Sequence, residues 1–410
     1  MARELVNNNA TELGVSAGST GTLTIGSTNG TSTGSLTLNS GSDFNVGNSG
    51  NGVLNMLPGG TLSTLGTMYL TRQGTASGYV YLNSGSKITI GYLNNGWGFH
   101  QGVVPATNSA LQAFYFNGGV LQAATGSQYF IQPYVNAIIG TNGAVIDDGG
   151  YNITALNAFA DGVGSTAGLT KLDTGTLILA GTNTYTGTTV VSNGTLVAAS
   201  LAGGITVESG ATLLAANTVA GPVTVASGGT LGGNNGIGTQ NFNSTLSLAA
   251  GSTTLAEITP ASNDQIAGLT GVTYGGSLIV SNISSSPLTS GSQYKLFNSS
   301  NPGSGNFTSV TLLPLGTATF SPSSGILTIT SSGFPPILNS PYVSGGNLIV
   351  SATGGTPGSN LWLLSSTNLL TPVSNWPTNY TGTFGSNGDF TNAIPISSTN
   401  PAEFFILKTP

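Results

Sequence analysis

ITVESGATL, from Ile205 to Leu213, and VTVASGGTL, from Val223 to Leu231, superimpose at an offset of 18 residues. Ile205 aligns with Val223, Val207 with Val225, Ser209 with Ser227, Gly210 with Gly228 and Leu213 with Leu231. Each copy reads as a short alternating strand, a Ser-Gly turn and the start of a second strand. A unit this small has no interior of its own and buries its apolar face only by stacking on copies of itself. The offset therefore predicts a solenoid.

Working outward, LNSGS occurs at Leu38 to Ser42 and again at Leu82 to Ser86, 44 residues on. That interval suits two rungs of about 20 residues each. GTL recurs at Gly21, Gly60, Gly175, Gly194 and Gly229, each time opening an alternating run, and GSLTLN from Gly34 and SKITIG from Ser86 are of the same kind. In-register stacking would set rungs about 4.8 Å apart, with alternate side chains forming an aliphatic column and Gly and Asn at the corners. Some 330 residues at roughly 20 per rung would make a rod about 80 Å long. An antiparallel sandwich could use the same short strands. The 18-residue register favours stacking.

Composition agrees with a strand-rich protein. Of 410 residues, 63 are Gly, 38% are hydrophobic and only 4% are charged, against a usual quarter. Disordered chains pair low hydrophobicity with high net charge, which this chain does not. Six Lys plus Arg cannot form a basic stripe, so nucleic-acid binding is not expected. No apolar run of 18 residues suggests a membrane-spanning helix, and MARELVNNNA lacks the apolar region of a signal peptide. A leader already removed or a longer parent chain would account for that. Zero cysteines excludes disulfides and thiolate metal sites. Low charge with many hydroxyls favours the cell exterior.

The pattern breaks near Gly333-Phe334-Pro335-Pro336. We expect β-helix rungs over 1–250, longer aromatic rungs and a cap over 251–332 (Tyr274, Tyr294, Phe297, Phe307, Phe320), and a small C-terminal β-sandwich-like domain over 337–410.

GLTKLDTGTLILAGTNTYTGTTVVSNGTLVA, from Gly168 to Ala198, closely resembles the autotransporter-associated β-strand repeat of bacterial surface proteins. Gly168-Leu169-Thr170-Lys171, the GTLILAG strand, Asn183-Thr184-Tyr185-Thr186-Gly187 and Asn193-Gly194-Thr195-Leu196 carry the likeness. FNGGVLQA (Phe116 to Ala123) and AVIDDGGYNIT (Ala144 to Thr154) are similar to its lead-in. NDQI at Asn263 and the GSQYKLFNSS to TSVTLL stretch are similar to the closing region of such passengers. The resemblance implies a right-handed parallel β-helix, exported and displayed or released. It brings no catalytic residues, and the strands of a membrane β-barrel are not evident in this sequence.

Few residues suggest chemistry. His100, the one histidine, sits in GWGFHQG without a nucleophile elbow nearby, and the plainer reading makes Trp97, Phe99 and His100 an inserted loop. Asp147 and Asp148 are adjacent, would point to opposite faces of a strand, and read as turn residues that satisfy backbone donors. Glu208 is followed one rung on by Ala226, so no carboxylate pair repeats. A polysaccharide lyase would need cations beside a base; Arg72 and Lys87, 15 residues apart, are the candidates. GGTLGGNNGIG, from Gly228, is followed by neither a Lys-Ser/Thr pair nor a helix and reads as corners, not a phosphate loop. Aromatics beside hydroxyl and amide ladders can form sugar platforms, and Tyr92, Trp97, His100, Trp362 and Trp376 are the speculative carbohydrate or surface contacts. The sequence thus predicts no catalytic, metal or cofactor residues. It predicts an extracellular or surface structural or adhesive β-helix that self-associates, because uncharged strand edges have little defence against pairing. A secreted polysaccharide-binding or polysaccharide-degrading β-helix is the alternative.

Overall fold

A computed structural model describes residues 11–30, 32–38, 42–71, 76–94, 112–233, 236–332, 336–355, 358–396 and 403–409. The chain coils as a right-handed parallel β-helix built on three sheets. Sheet I has 16 strands and runs from Thr11–Glu12 to Ser309–Leu313; sheet II has six, from Thr20–Ile25 to Phe159–Asp161; sheet III has twelve, from Gly34–Thr37 to Ser304–Gly305. Every pair within them is parallel, as successive turns of one coil require.

The two 18-residue units stack as the sequence implies. Ile205 pairs with Val223 and Val207 with Val225 in sheet III, and Leu213 pairs with Leu231 in sheet I. At the corner between them, the amide of Gly210 donates to Gly228 O, and that of Gly228 to Gly251 O, at 3.0 Å each. All three glycines have φ between 81° and 86°, the left-handed region that a side chain makes costly.

GTL resolves into three roles. In sheet I the Gly turns the corner, the Thr faces out and the Leu faces in. The inward column reads Ile153, Leu177, Leu196, Leu213, Leu231, Thr254, Leu278 and Val310 in unbroken register. Its leucines are fully buried, and each stabilises the rod by about 1.5–3 kcal/mol. The outward column beside it reads Asn152, Thr176, Thr195, Thr212, Thr230, Thr253, Ser277 and Ser309.

Rung length departs from expectation. In sheet III Leu36 pairs with Leu62 and Leu62 with Ile88, 26 residues per turn rather than about 20. The LNSGS copies are therefore not two rungs apart. Leu38 follows a sheet III strand, whereas Leu82 belongs to sheet II. Twelve strands in sheet III at about 4.8 Å spacing give a rod of roughly 53 Å, shorter than the 80 Å that a 20-residue rung implied.

Sheet II ends at Phe159–Asp161, and the coil then narrows: Lys171 pairs with Val191, 20 residues on, and Val191 with Val207, 16 on. The strand Ala211–Val219 widens it again by forking, its first half pairing with Thr230–Leu231 and its second with Thr239–Phe242. Gln293–Lys295 joins the two strands that follow the last parallel one, Gly316–Ser321 and Ile326–Ser332, in an antiparallel sheet. Beside it, the rings of Tyr274, Phe297, Phe307 and Phe320 cluster with centroids 4.9–6.1 Å apart.

The C-terminal residues form two antiparallel sheets, one centred on Asn347–Thr353 and one on Asn360–Ser366. Val350, Ala352, Leu361, Leu363, Phe384, Phe390 and Ile394 fill the space between them, and Leu407 packs on both of their clusters. That is a small sandwich.

Candidate functional site: a buried polar centre and the outer ladders

The segment singled out by resemblance holds the most concentrated polar chemistry in the rod, and it faces inward. The inward column of sheet III reads Leu36, Leu62, Ile88, Leu121, Ile146, Lys171, Val191, Val207, Val225 and Leu248. Lys171 thus occupies an aliphatic position, between Ile146 and Val191, with no solvent exposure.

A buried ammonium must be paired and hydrogen-bonded. Lys171 Nζ donates to Asp148 Oδ2 at 2.5 Å, and both side chains are completely buried. It also donates to Asp173 O and Asn193 O, each at 2.9 Å. Asp148 Oδ1 accepts from the amides of Gly150 and Gly175, each at 2.9 Å. One lysine therefore ties together corners from three successive rungs.

The rest of the segment closes the edge where sheet II stops. Thr184 N donates to Phe159 O at 2.9 Å. Asn183, also buried, accepts from Phe159 N at 3.1 Å and donates to Gly181 O at 2.8 Å and Ser200 O at 3.1 Å. Asp161 accepts from the amide and hydroxyl of Thr186 at 3.0 and 2.8 Å. Tyr185 lies wholly in the core, its hydroxyl 2.5 Å from that of Thr189. Burial pushes the Tyr185 phenol far above its ordinary value, partly offset by that hydrogen bond. An aromatic and four polar side chains take the place of the missing sheet.

The remaining acids follow the same habit. Asp147, at the end of its strand, accepts from Gly149 N at 2.9 Å and from Gln122 Nε2 at 2.8 Å, the turn role expected of it. Glu12 takes Asn45 and Asn48, and Asp43 takes Thr67 N. Glu257 and Asp264 come closest to a carboxylate pair. Asp264 accepts from Gly238 N at 2.9 Å and Glu257 N at 2.8 Å, and Glu257 accepts from Gly236 N at 2.8 Å. Burial raises the Asp264 carboxyl; the two amide donors lower it, and the charge of Glu257 adds a smaller upward push. A raised acid beside a second carboxylate resembles a glycosidase pair. Here both Asp264 oxygens are held by backbone amides of the fork, so the pair staples the widened coil. Glu208 is exposed. Among the described residues, no group of three or more His, Cys, Asp or Glu comes together to hold a metal.

The speculative contacts are scattered. Trp97 and His100 lie outside the described residues, as does Arg72. Lys87 stands on the outer side of sheet III between Thr61 and Val120. Tyr92 is half-buried beside Thr67 in sheet I. Trp362 is half-buried in the C-terminal sandwich. Trp376 is buried and donates from Nε1 to Thr371 O at 2.8 Å, which makes it an anchor rather than a sugar platform. The sequence reading missed an aromatic pair on the outside of sheet II. Tyr81 and Tyr115 are in register and stack with centroids 4.7 Å apart and planes 4° from parallel. The alternation GYVYLN and AFYFN carried that signal.

A family model described as a passenger-associated-transport repeat matches residues 169–198. Together with the stacked parallel coil, this match fits an autotransporter-associated β-helix repeat protein. Its match spans the polar centre: Lys171, Asn183, Tyr185 and Thr189 all lie within it. The repeat is that of autotransporter passengers, which implies an extracellular or surface setting. A search of curated proteins finds no match to the chain. No helix among the described residues is long and apolar enough to cross a membrane.

Proposed function

We propose that this protein is a non-catalytic structural or adhesive rod of the cell exterior that associates with itself through its uncharged outer faces. The observation that carries this is the outward hydroxyl column of sheet I. From Thr176 to Ser309 it runs through seven successive rungs, and the strands that bear it hold a single charged residue, Glu257. Over the same stretch the sheet III strands contribute one charge, Lys171, which points inward. Such a surface lacks the charges with which sheets usually repel lateral partners. Asp147, Asp148, Glu257 and Asp264 are each held by backbone amides, as structural acids are.

Sedimentation velocity over a concentration series tests this reading. The wild-type chain should form larger species as concentration rises. Thr212→Lys with Thr230→Lys places like charges on neighbouring rungs and should hold the rod monomeric. A wild-type chain that stays monomeric throughout would overturn the proposal. Polysaccharide binding is the second reading, favoured by the stack of exposed Tyr81 on half-buried Tyr115.

A further inference from the structure

We propose that Asn193, in the matched repeat, is a site of intramolecular modification. The backbone nitrogen of Gly194 attacks its side-chain amide and converts the residue to isoaspartate and aspartate. Six Asn-Gly pairs lie among the described residues, at Asn29, Asn51, Asn117, Asn142, Asn193 and Asn387. Glycine opens its backbone nitrogen to the preceding side chain because no Cβ stands in the way. By sequence all six are equal candidates, and the structure separates them.

The difference lies in where each glycine N–H points. Gly30 donates to Ser27 O at 3.1 Å, Gly118 to Gly143 O at 2.8 Å, Gly143 to Gly140 O at 3.0 Å and Gly388 to Gly385 O at 3.0 Å. Gly52 lies inside sheet II, in register with Gly21 on one side and Gly78 on the other. Gly194 N instead faces Asn193 Oδ1 at 2.8 Å, so nucleophile and target amide are already in contact. The Asn193 side chain is exposed and has no other hydrogen-bond partner among the described residues. Asn117, by contrast, is held: it donates to Asn83 Oδ1 at 3.0 Å and accepts from Asn142 Nδ2 at 3.1 Å. Reacting groups kept in contact react faster than groups that must first find each other.

The buried lysine adds a second element. Lys171 Nζ donates at 2.9 Å to Asn193 O, the carbonyl of the very peptide whose nitrogen must attack. An ammonium on that oxygen stabilises the negative charge that the peptide takes up as the Gly194 N–H gives up its proton. The same corner rules out a shielding side chain. Gly194 has φ 65°, and a Cβ there would stand 2.3 Å from Gly175 O and 2.7 Å from Lys171 Nζ. In the step itself the bond from Gly194 N to Asn193 Cγ forms and the Cγ–Nδ2 bond breaks. The Gly194 proton ends on the leaving nitrogen, which departs as ammonia. Water then opens the cyclic imide at either carbonyl and leaves a carboxylate. Opening at the backbone carbonyl gives isoaspartate. The new charge stands one residue from Thr195 of the outer hydroxyl column. Any effect of that charge on self-association rests on the self-association reading, whereas the modification does not.

The test is peptide-mapping mass spectrometry of the full chain, aged at neutral pH both folded and in guanidinium chloride. In the folded chain Asn193 should convert at least about tenfold faster than Asn117 and Asn142, and no more slowly than it does unfolded. In guanidinium chloride the pairs share one flexible geometry and should convert at similar rates. The Asn193 product should contain isoaspartate as well as aspartate. Equal folded rates at Asn193, Asn117 and Asn142, or a folded Asn193 slower than the unfolded one, would overturn the proposal. Aspartate alone at Asn193 would overturn the intramolecular step. Self-association is read separately by sedimentation, so either reading can fail while the other stands.

Discussion

Replacing Lys171 with methionine tests why a lysine stands in an aliphatic column. Methionine has nearly the right length and fills the slot between Ile146 and Val191. Packing alone therefore predicts little change, and hydrophobic burial even a gain. The hydrogen bonds predict the opposite. Without the ammonium, Asp148 is a fully buried charge with only two amide donors, and Asp173 O and Asn193 O lose a donor at 2.9 Å. Breaking a buried pair from one side costs about 3–5 kcal/mol. Lys171→Met with Asp148→Asn removes the stranded charge, so the double variant should recover at least about 1 kcal/mol of that loss. A solenoid of this size does not unfold in one step, so whole-chain denaturation would blur the effect. Amide hydrogen exchange over Thr176–Asn183 and Gly194–Leu201 reads the local free energy instead. A single variant within about 0.5 kcal/mol of wild type, or a double variant no better than the single, would refute the ion-pair account.

Asn183→Ala should cost about 2–3 kcal/mol in the same exchange experiment, because Phe159 N, Gly181 O and Ser200 O all lose a partner at once. Gly78→Ala should destabilise the first rungs by more than about 1–3 kcal/mol, seen as faster amide exchange over Ser77–Asn83, since its Cβ would stand 1.6 Å from Leu70 O. Asp264 binds its proton more tightly folded than unfolded, because burial raises its carboxyl. Its contribution to stability therefore falls as pH rises from the ordinary carboxylate value of about 4 through the raised one. Asp264→Asn should flatten that slope in local exchange free energies over Thr253–Ile258 measured against pH, and an unchanged slope would count against the assignment.

The middle of the rod was legible because its rungs are nearly equal in length. Ile205 and Val223 are matched by position and chemistry, and Gly210 and Gly228 fall at the same corner, so the register could be read directly. The upstream rungs misled because GTL opens strands in all three sheets, so copies need not stack on each other. GTL at Gly21 belongs to sheet II, at Gly60 to sheet III and at Gly175 to sheet I. Lys171 could have been placed from alternation alone: Leu169 points in, Thr170 out, and the next residue in again. Its partner Asp148 lies 23 residues earlier, a contact that only the coil creates.

The account makes shape and an uncharged surface the function, with charge and polarity folded inward at the matched repeat. Negative-stain microscopy of the purified chain at high concentration, alongside Thr212→Lys with Thr230→Lys, tests it most directly. The account predicts filaments or lateral bundles of rods roughly 53 Å long for the wild type, and dispersed rods for the variant. Isolated wild-type rods at every concentration would contradict it.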